Sequence, residues 1–209
     1  EMLRSLVGSE MCIRDRYRMK ELALNTEITF NGQKGRVEVA PLNLNGLGPH
    51  MIAVDLVGTD FYWWMVEYPQ ECHKLLDKIT KGLIVIEENA RRIDPRPRGT
   101  LWIAEDSSQI MSEAMFKEFT VPYTKIMYEK FCNNNVPDSR GMHMCGNSAH
   151  LHKSLLEDLK ITSFNLFGYQ VSPKIAAQNF GGKVLLFGNI NPMLLKDGNK
   201  EDIKKACMN

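Results

Sequence analysis

The sequence predicts an α/β fold in which parallel strands alternate with helices, as an open sheet or a barrel. Three observations carry this reading. From residue 100 onward, short β-prone runs alternate with segments whose apolar residues recur at helical spacing. The last β-prone run, 183–190, is almost continuously apolar, as a strand covered on both faces requires. Polar residues gather where the runs end. With 209 residues, 44% of them hydrophobic and 24% charged, the chain suits one domain with a sizeable core.

Residues 1–16 stand apart. The run from Ser5 to Arg16 resembles the translated read-through of a sequencing-library adapter, so residues 1–16 are set aside and the domain is taken as 17–209. Setting them aside takes three basic and three acidic residues, and the net charge of +1 is unchanged.

The β-prone runs 27–30 and 36–40 flank Asn31-Gly32-Gln33-Lys34-Gly35 and predict a hairpin. Residues 43–49, with Gly46 and Gly48, predict a loop, and 51–57 a short buried strand with a β-branched bias. Pro69 suits a helix's first turn, after which Cys72, Leu75, Leu76, Ile79, Leu83, Ile86, Ala90 and Ile93 share one face, until Pro95 and Pro97. A strand follows over 100–105. The next helix starts near Ser112, is bent or split at Pro122, and carries an apolar stripe to Phe131. Strands over 140–145, 162–167 and 183–190 then alternate with helices over 149–160 and 173–180. Gly181-Gly182 stops the second of these, and a further helix starts at Glu201.

Bulk properties exclude some classes. No basic run or basic-aromatic patch points to nucleic acid. The longest apolar runs, such as Leu83-Ile84-Val85-Ile86, are too short to span a bilayer, and no signal-peptide core follows the first charges. Five cysteines (12, 72, 132, 145 and 207), an odd number with no Cys-x-x-Cys, fit a reducing cytoplasm.

Chemistry concentrates in Gly141-Met142-His143-Met144-Cys145-Gly146-Asn147. On an extended strand His143 and Cys145 share a face, and together they supply half of a tetrahedral zinc site. The plainer alternative is a buried cysteine beside a satisfied histidine. Asp106, Asn165 and Asn189 close or lie late in neighbouring strands. In a β/α barrel all of these meet at one mouth, with Asp106 as a catalytic candidate and Asn165 and Asn189 as substrate-binding candidates. Asp106 also suits the N-cap of a following turn, and the asparagines suit satisfied turns. His150 and His152, two apart in a helix, are expected to be exposed, and His50, His73, Cys72 and Cys132 have no partner at metal spacing.

Four segments together resemble the uroporphyrinogen decarboxylase superfamily, which includes the heme-pathway decarboxylase and the zinc-dependent methylcobamide:thiol methyltransferases. They are Gly48-Pro49 ahead of a strand; Glu105-Asp106 with Met111 to Phe116 and Val121-Pro122-Tyr123; His143 to Asn147; and Ser172 to Ala177 with Gly188 to Pro192. The resemblance covers about residues 48–207 in the family's order. It implies a partial TIM-type (β/α)8 barrel truncated at both ends, a whole barrel needing ~250 residues.

Within the family, the decarboxylase uses no metal and grips its substrate with arginines of an N-terminal Arg-Gln-Ala-Gly-Arg motif, which this sequence lacks. The methyltransferase branch uses His-x-Cys plus a later cysteine to hold zinc. That branch implies His143 and Cys145 as metal ligands, zinc as cofactor and a methylated corrinoid as co-substrate. It also implies a small-molecule thiol as acceptor, with a corrinoid-carrying protein as a candidate partner. The third ligand of that pattern should follow well after Asn189, and Cys207 lies too early, so two ligands are expected here and the chain by itself is expected to be inactive. The alternatives are metal-free decarboxylation of a tetrapyrrole carboxylate and a non-catalytic corrinoid- or tetrapyrrole-binding protein.

Overall fold

The computed structural model describes residues 14–24, 26–39, 46–96, 98–133, 135–136, 139–165 and 167–208. The chain divides into two compact units, one over 1–44 with 87–96 and one over 45–86 with 97–209.

In the first unit a helix over 14–24 (α1) precedes a hairpin of β1 (Glu27–Phe30) and β2 (Gln33–Arg36). Asn31 and Gly32 both have positive φ, 49° and 78°, so the hairpin closes in two residues. The second strand therefore begins at Gln33, opposite Phe30, and not at residue 36. Ala40 and the start of the loop expected over 43–49 lie outside the described residues. Buried Asp94 accepts hydrogen bonds from Arg16 (2.7 Å) and Arg96 (2.6 Å).

In the second unit, residues 51–57 are not a strand but part of helix α2 (Pro49–Val57). Pro49 sits in the first turn, where a missing N–H costs nothing. The buried carboxylate of Glu105 accepts from the next two N–H groups, His50 (3.3 Å) and Met51 (3.0 Å). That tertiary cap overrides the β-branched bias of the run. The strand position lies just upstream, where Leu47 forms a single parallel bridge to Ala104.

Helix α3 (Asp60–Glu67), which the sequence reading did not foresee, buries Phe61 and Met65. Helix α4 (Pro69–Ile93) buries Cys72, Leu76, Leu83 and Ala90, while Ile86 of the expected stripe is exposed.

Then comes β3 (Leu101–Ala104), followed by a 3-10 turn over Asp106–Ile110, α5 (Glu113–Phe119) and α6 (Val121–Phe131). Thr120 separates the two helices, with Pro122 in α6's first turn, so of the bend or split expected at Pro122 the structure has the split. The Ser112 hydroxyl caps α5 by accepting from Met115 N–H.

β4 (Arg140–His143) leads to a 3-10 turn over Ala149–Leu151 and α7 (His152–Glu157). β5 (Ser163–Asn165) leads to α8 (Pro173–Phe180), the residues expected. β6 (Leu185–Phe187) leads to α9 (Pro192–Asp197), which was not expected, and α10 (Lys200–Met208).

The four strands form one parallel sheet in the order β3-β4-β5-β6, an arc of a TIM-type barrel. Register aligns Ala104, His143, Asn165 and Phe187 in one row across the sheet. Successive side chains alternate faces, so Ile103, Met142 and Phe164 point the other way. Those three are essentially buried in the hydrophobic core with residues of α4 to α8. Parity therefore holds for Ile103, Met142 and Phe164 against His143 and Asn165, while Cys145 lies beyond β4 and Leu185 and Phe187 of β6, expected to be covered on both faces, are exposed.

The buried hydroxyl of Tyr128 ties α6 to the sheet by donating to Gly141 O at 2.6 Å. Tyr128→Phe removes this bond with little change of shape, and urea unfolding should show a loss of about 1–1.5 kcal/mol. An unchanged midpoint would rule the tie out.

Candidate metal centre

At the C-terminal end of the sheet three side chains converge. Nε2 of His143 lies 2.9 Å from Cys145 Sγ and 3.6 Å from Asp106 Oδ1. One ligand atom from each of the three lies within 4.8 Å of the others, so the cluster could hold a metal ion.

The placement follows from local hydrogen bonding. His143 ends β4 in register with Ala104. Cys145 is not on the strand: its N–H turns to Asp106 Oδ1 at 2.5 Å, so the strand stops two residues early. Glu105, not Asp106, is the N-cap of the 3-10 turn; Asp106 is the turn's first residue, and its side chain reaches across to β4's end. Partial burial, reinforced by the Asp106 carboxylate, pushes the Cys145 thiol up to about 11. At neutral pH the thiol therefore keeps its proton unless a cation replaces it.

The donor set suits zinc. Bond lengths of ~2.0–2.3 Å place tetrahedral donors about 3.3–3.8 Å apart. The His143–Asp106 separation falls in that range, and the shorter sulfur–nitrogen approach is a hydrogen bond that a metal would replace. The structure thus brings together His143 and Cys145, expected as ligands, with Asp106, expected as a polar group at the mouth. Two donors become three without a downstream cysteine.

The other strand-end residues lie nearby. Asn165 pairs with His143 across β4–β5. Asn189 shares a cleft of about 120 Å³ with Cys145, Gly168, Tyr169, Ile190 and Pro192. Its amide Nδ2 donates to Gly168 O (2.9 Å) and Val171 O (2.6 Å).

Beneath the cluster, Glu105 is fully buried, and desolvation pushes its carboxyl up to about 8 despite the N–H groups of α2. In the sequence Glu105 stands out only as Asp106's neighbour. A carboxylate next to a mouth residue, with a Gly-Pro helix start elsewhere in the chain, was the available signal. Nδ1 of buried His50 sits 3.1 Å and 3.2 Å from the hydroxyls of Ser107 and Ser108.

The remaining histidines are structural. His73 stacks on Phe119, and exposed His150 contacts Met111 O. His152, expected to be exposed, is buried against Phe164 and Phe180 because its helix turn faces the core. Cys72, Cys145 and Cys207 are free thiols, and no described helix is long and apolar enough to cross a membrane.

Burial holds His50 and His152 each at about 4, below the usual 6.5. Between those values the two imidazoles bind fewer protons in the folded chain than in the unfolded one, whereas buried Glu105, held up to about 8, binds more. The two histidines outweigh the one carboxyl, so stability rises with pH across this window and is lost as pH falls towards 4. Urea unfolding from pH 4.5 to 7 should show this slope, and His152→Leu should flatten it. An equal slope in that variant would remove His152 as a contributor.

An arc of parallel β/α units with polar side chains gathered at the C-terminal strand ends defines a TIM-barrel-type protein with its candidate site at the barrel mouth. The profile of the uroporphyrinogen decarboxylase (URO-D) family matches residues 34–209, and the chain belongs to that family. It is 28% identical over 151 residues to a uroporphyrinogen decarboxylase of Danio rerio, an alignment covering 68% of this chain and 38% of that protein. A methyltransferase from Methanosarcina mazei superposes with a TM-score of 0.62 at 21% identity, over 76% of this chain and 46% of the other. The chain thus spans less than half the length of these relatives.

Proposed function

We propose that the chain carries the metal-binding part of a zinc-dependent methyltransferase that moves a methyl group from a methylated corrinoid to a thiol. The single observation that supports this most is the convergence of Asp106, His143 and Cys145 at the barrel mouth. The fold shared with a methyltransferase agrees with it. Cys145 Sγ, His143 Nε2 and an Asp106 oxygen would hold the metal. Zinc there supplies the fixed positive charge that lets a thiol ionise at neutral pH. Asp106 holds the Cys145 backbone and adds negative charge. Asn165 and Asn189 would orient the thiol. The acceptor thiol, ionised beside the metal held by His143, Cys145 and Asp106, would be the nucleophile, and a methylated corrinoid would supply the methyl group.

The identity to a decarboxylase supports a second reading, metal-free decarboxylation of a tetrapyrrole carboxylate. Metal analysis of the purified chain separates the two. About one zinc per chain is expected. A metal-free chain whose Cys145→Ser variant behaves like the parent would overturn the methyltransferase reading. Corrinoid binding by a chain that takes up no zinc would leave a binding protein.

A further inference from the structure

We propose that the turn at Gly168, pinned by Asn189, is the positioning element that holds Cys145 at the metal centre. The inference rests on the reading of His143 and Cys145 as ligands, and it concerns residues outside the cluster. Cys145 has left its strand, so no sheet ladder fixes its sulfur. On one side its N–H is held by Asp106. On the other, Gly168 is pressed against the carbonyl side of the Cys145–Gly146 backbone. A Cβ at Gly168 would fall 2.5 Å from Cys145 O, closer still to Gly146 O, and 2.8 Å from Gly146 C. These are backbone atoms that cannot swing aside, and Gly168 has φ +72°, a conformation other residues adopt only at a cost.

The turn that presents Gly168 is itself held firmly. Val171 N–H donates to Gly168 O at 3.1 Å, and Phe167 and Val171 are buried on either side. Asn189, from the loop after β6, then bridges the turn by donating through Nδ2 to the carbonyls of both Gly168 and Val171. The end of β6 therefore fixes the loop after β5, and that loop backs the loop after β4. Asn189 acts as a positioning residue whose influence reaches Cys145 through Gly168.

Two variants test this on the full 209-residue chain. Gly168→Ala pushes the Cys145–Gly146 backbone. Asn189→Asp keeps the side-chain shape but sets a carboxylate oxygen against two carbonyls, releasing the turn. Each is expected to weaken zinc affinity about 10–100-fold, the range for outer-shell partners of metal ligands. Each should also alter the thiolate charge-transfer band of the cobalt(II)-substituted chain, and Asn189→Asp should do so in a chain that stays folded, with a thermal midpoint lowered by the two lost hydrogen bonds. Parent-like affinity and spectrum in a folded Asn189→Asp chain would overturn the proposal, even if Gly168→Ala fails to fold. If the parent chain takes up no zinc or cobalt, the metal reading fails separately. Peptide-resolved alkylation of Cys145 then decides this inference, several-fold faster in Asn189→Asp supporting it and an unchanged rate overturning it.

Discussion

Cys145→Ser is expected to lower zinc affinity by more than ~100-fold, beyond what loss of an outer-shell partner costs. The substitution removes the only sulfur of the cluster and leaves a histidine nitrogen and a carboxylate oxygen. His143→Ala should do the same, since its Nε2 is the atom nearest both other donors. Asp106→Asn separates two roles: the amide oxygen can still accept the Cys145 N–H, but the negative charge is gone, so an intermediate loss is expected. Proton release gives an independent check. The metal-free thiol sits at about 11, so zinc binding at pH 7 must displace its proton. Titration calorimetry in buffers of different ionisation enthalpy should show about one proton released in the parent and about one fewer in Cys145→Ser. Equal affinity and equal proton release in both chains would remove Cys145 from the site.

Gly48→Ala is expected to cost about 2–4 kcal/mol of stability, the largest single-residue effect away from the cluster. A Cβ at Gly48 would lie 2.7 Å from Glu105 Cγ and nearer still to Cδ and Oε1. The backbone there has φ −82°, open to any residue, so the cost is steric. Glu105 is fully buried and has nowhere to rotate without abandoning the N–H groups of His50 and Met51. Unpaired buried donors cost about 1–3 kcal/mol each. A double-mutant cycle with Glu105→Ala isolates the clash: in that background Gly48→Ala should become nearly silent, giving a coupling of about 1–3 kcal/mol. A Gly48→Ala chain within 0.5 kcal/mol of the parent, a margin typical of neutral surface changes, would show that Glu105 is not held as described.

Both predictions turn on contacts between residues far apart in the chain, and such contacts were only partly legible beforehand. The β/α order was legible because periodicity is local. The helix over 173–180 was read to the residue, since Ser172, Pro173 and the Gly181-Gly182 stop are all local signals. The strand expected over 51–57 failed because its cap comes from Glu105, more than fifty residues away. The burial of His152 and the second strand of the hairpin were missed for smaller reasons, one a helix face set by packing and the other a tighter turn than the loop suggested.

Beyond residue 100 the residue pattern alone fixes the order of strands and helices, the inward faces of β3, β4 and β5, and His143, Cys145 and Asp106 as the chemistry near strand ends. It does so because strand parity and helix periodicity repeat every few residues. That Asp106 joins His143 and Cys145, that Cys145 leaves its strand, and that Gly168 and Asn189 stand behind it follow from folding and from no local pattern. The atoms in those contacts come from different β/α units, and only the parallel register of β3, β4, β5 and β6 brings them within bonding distance.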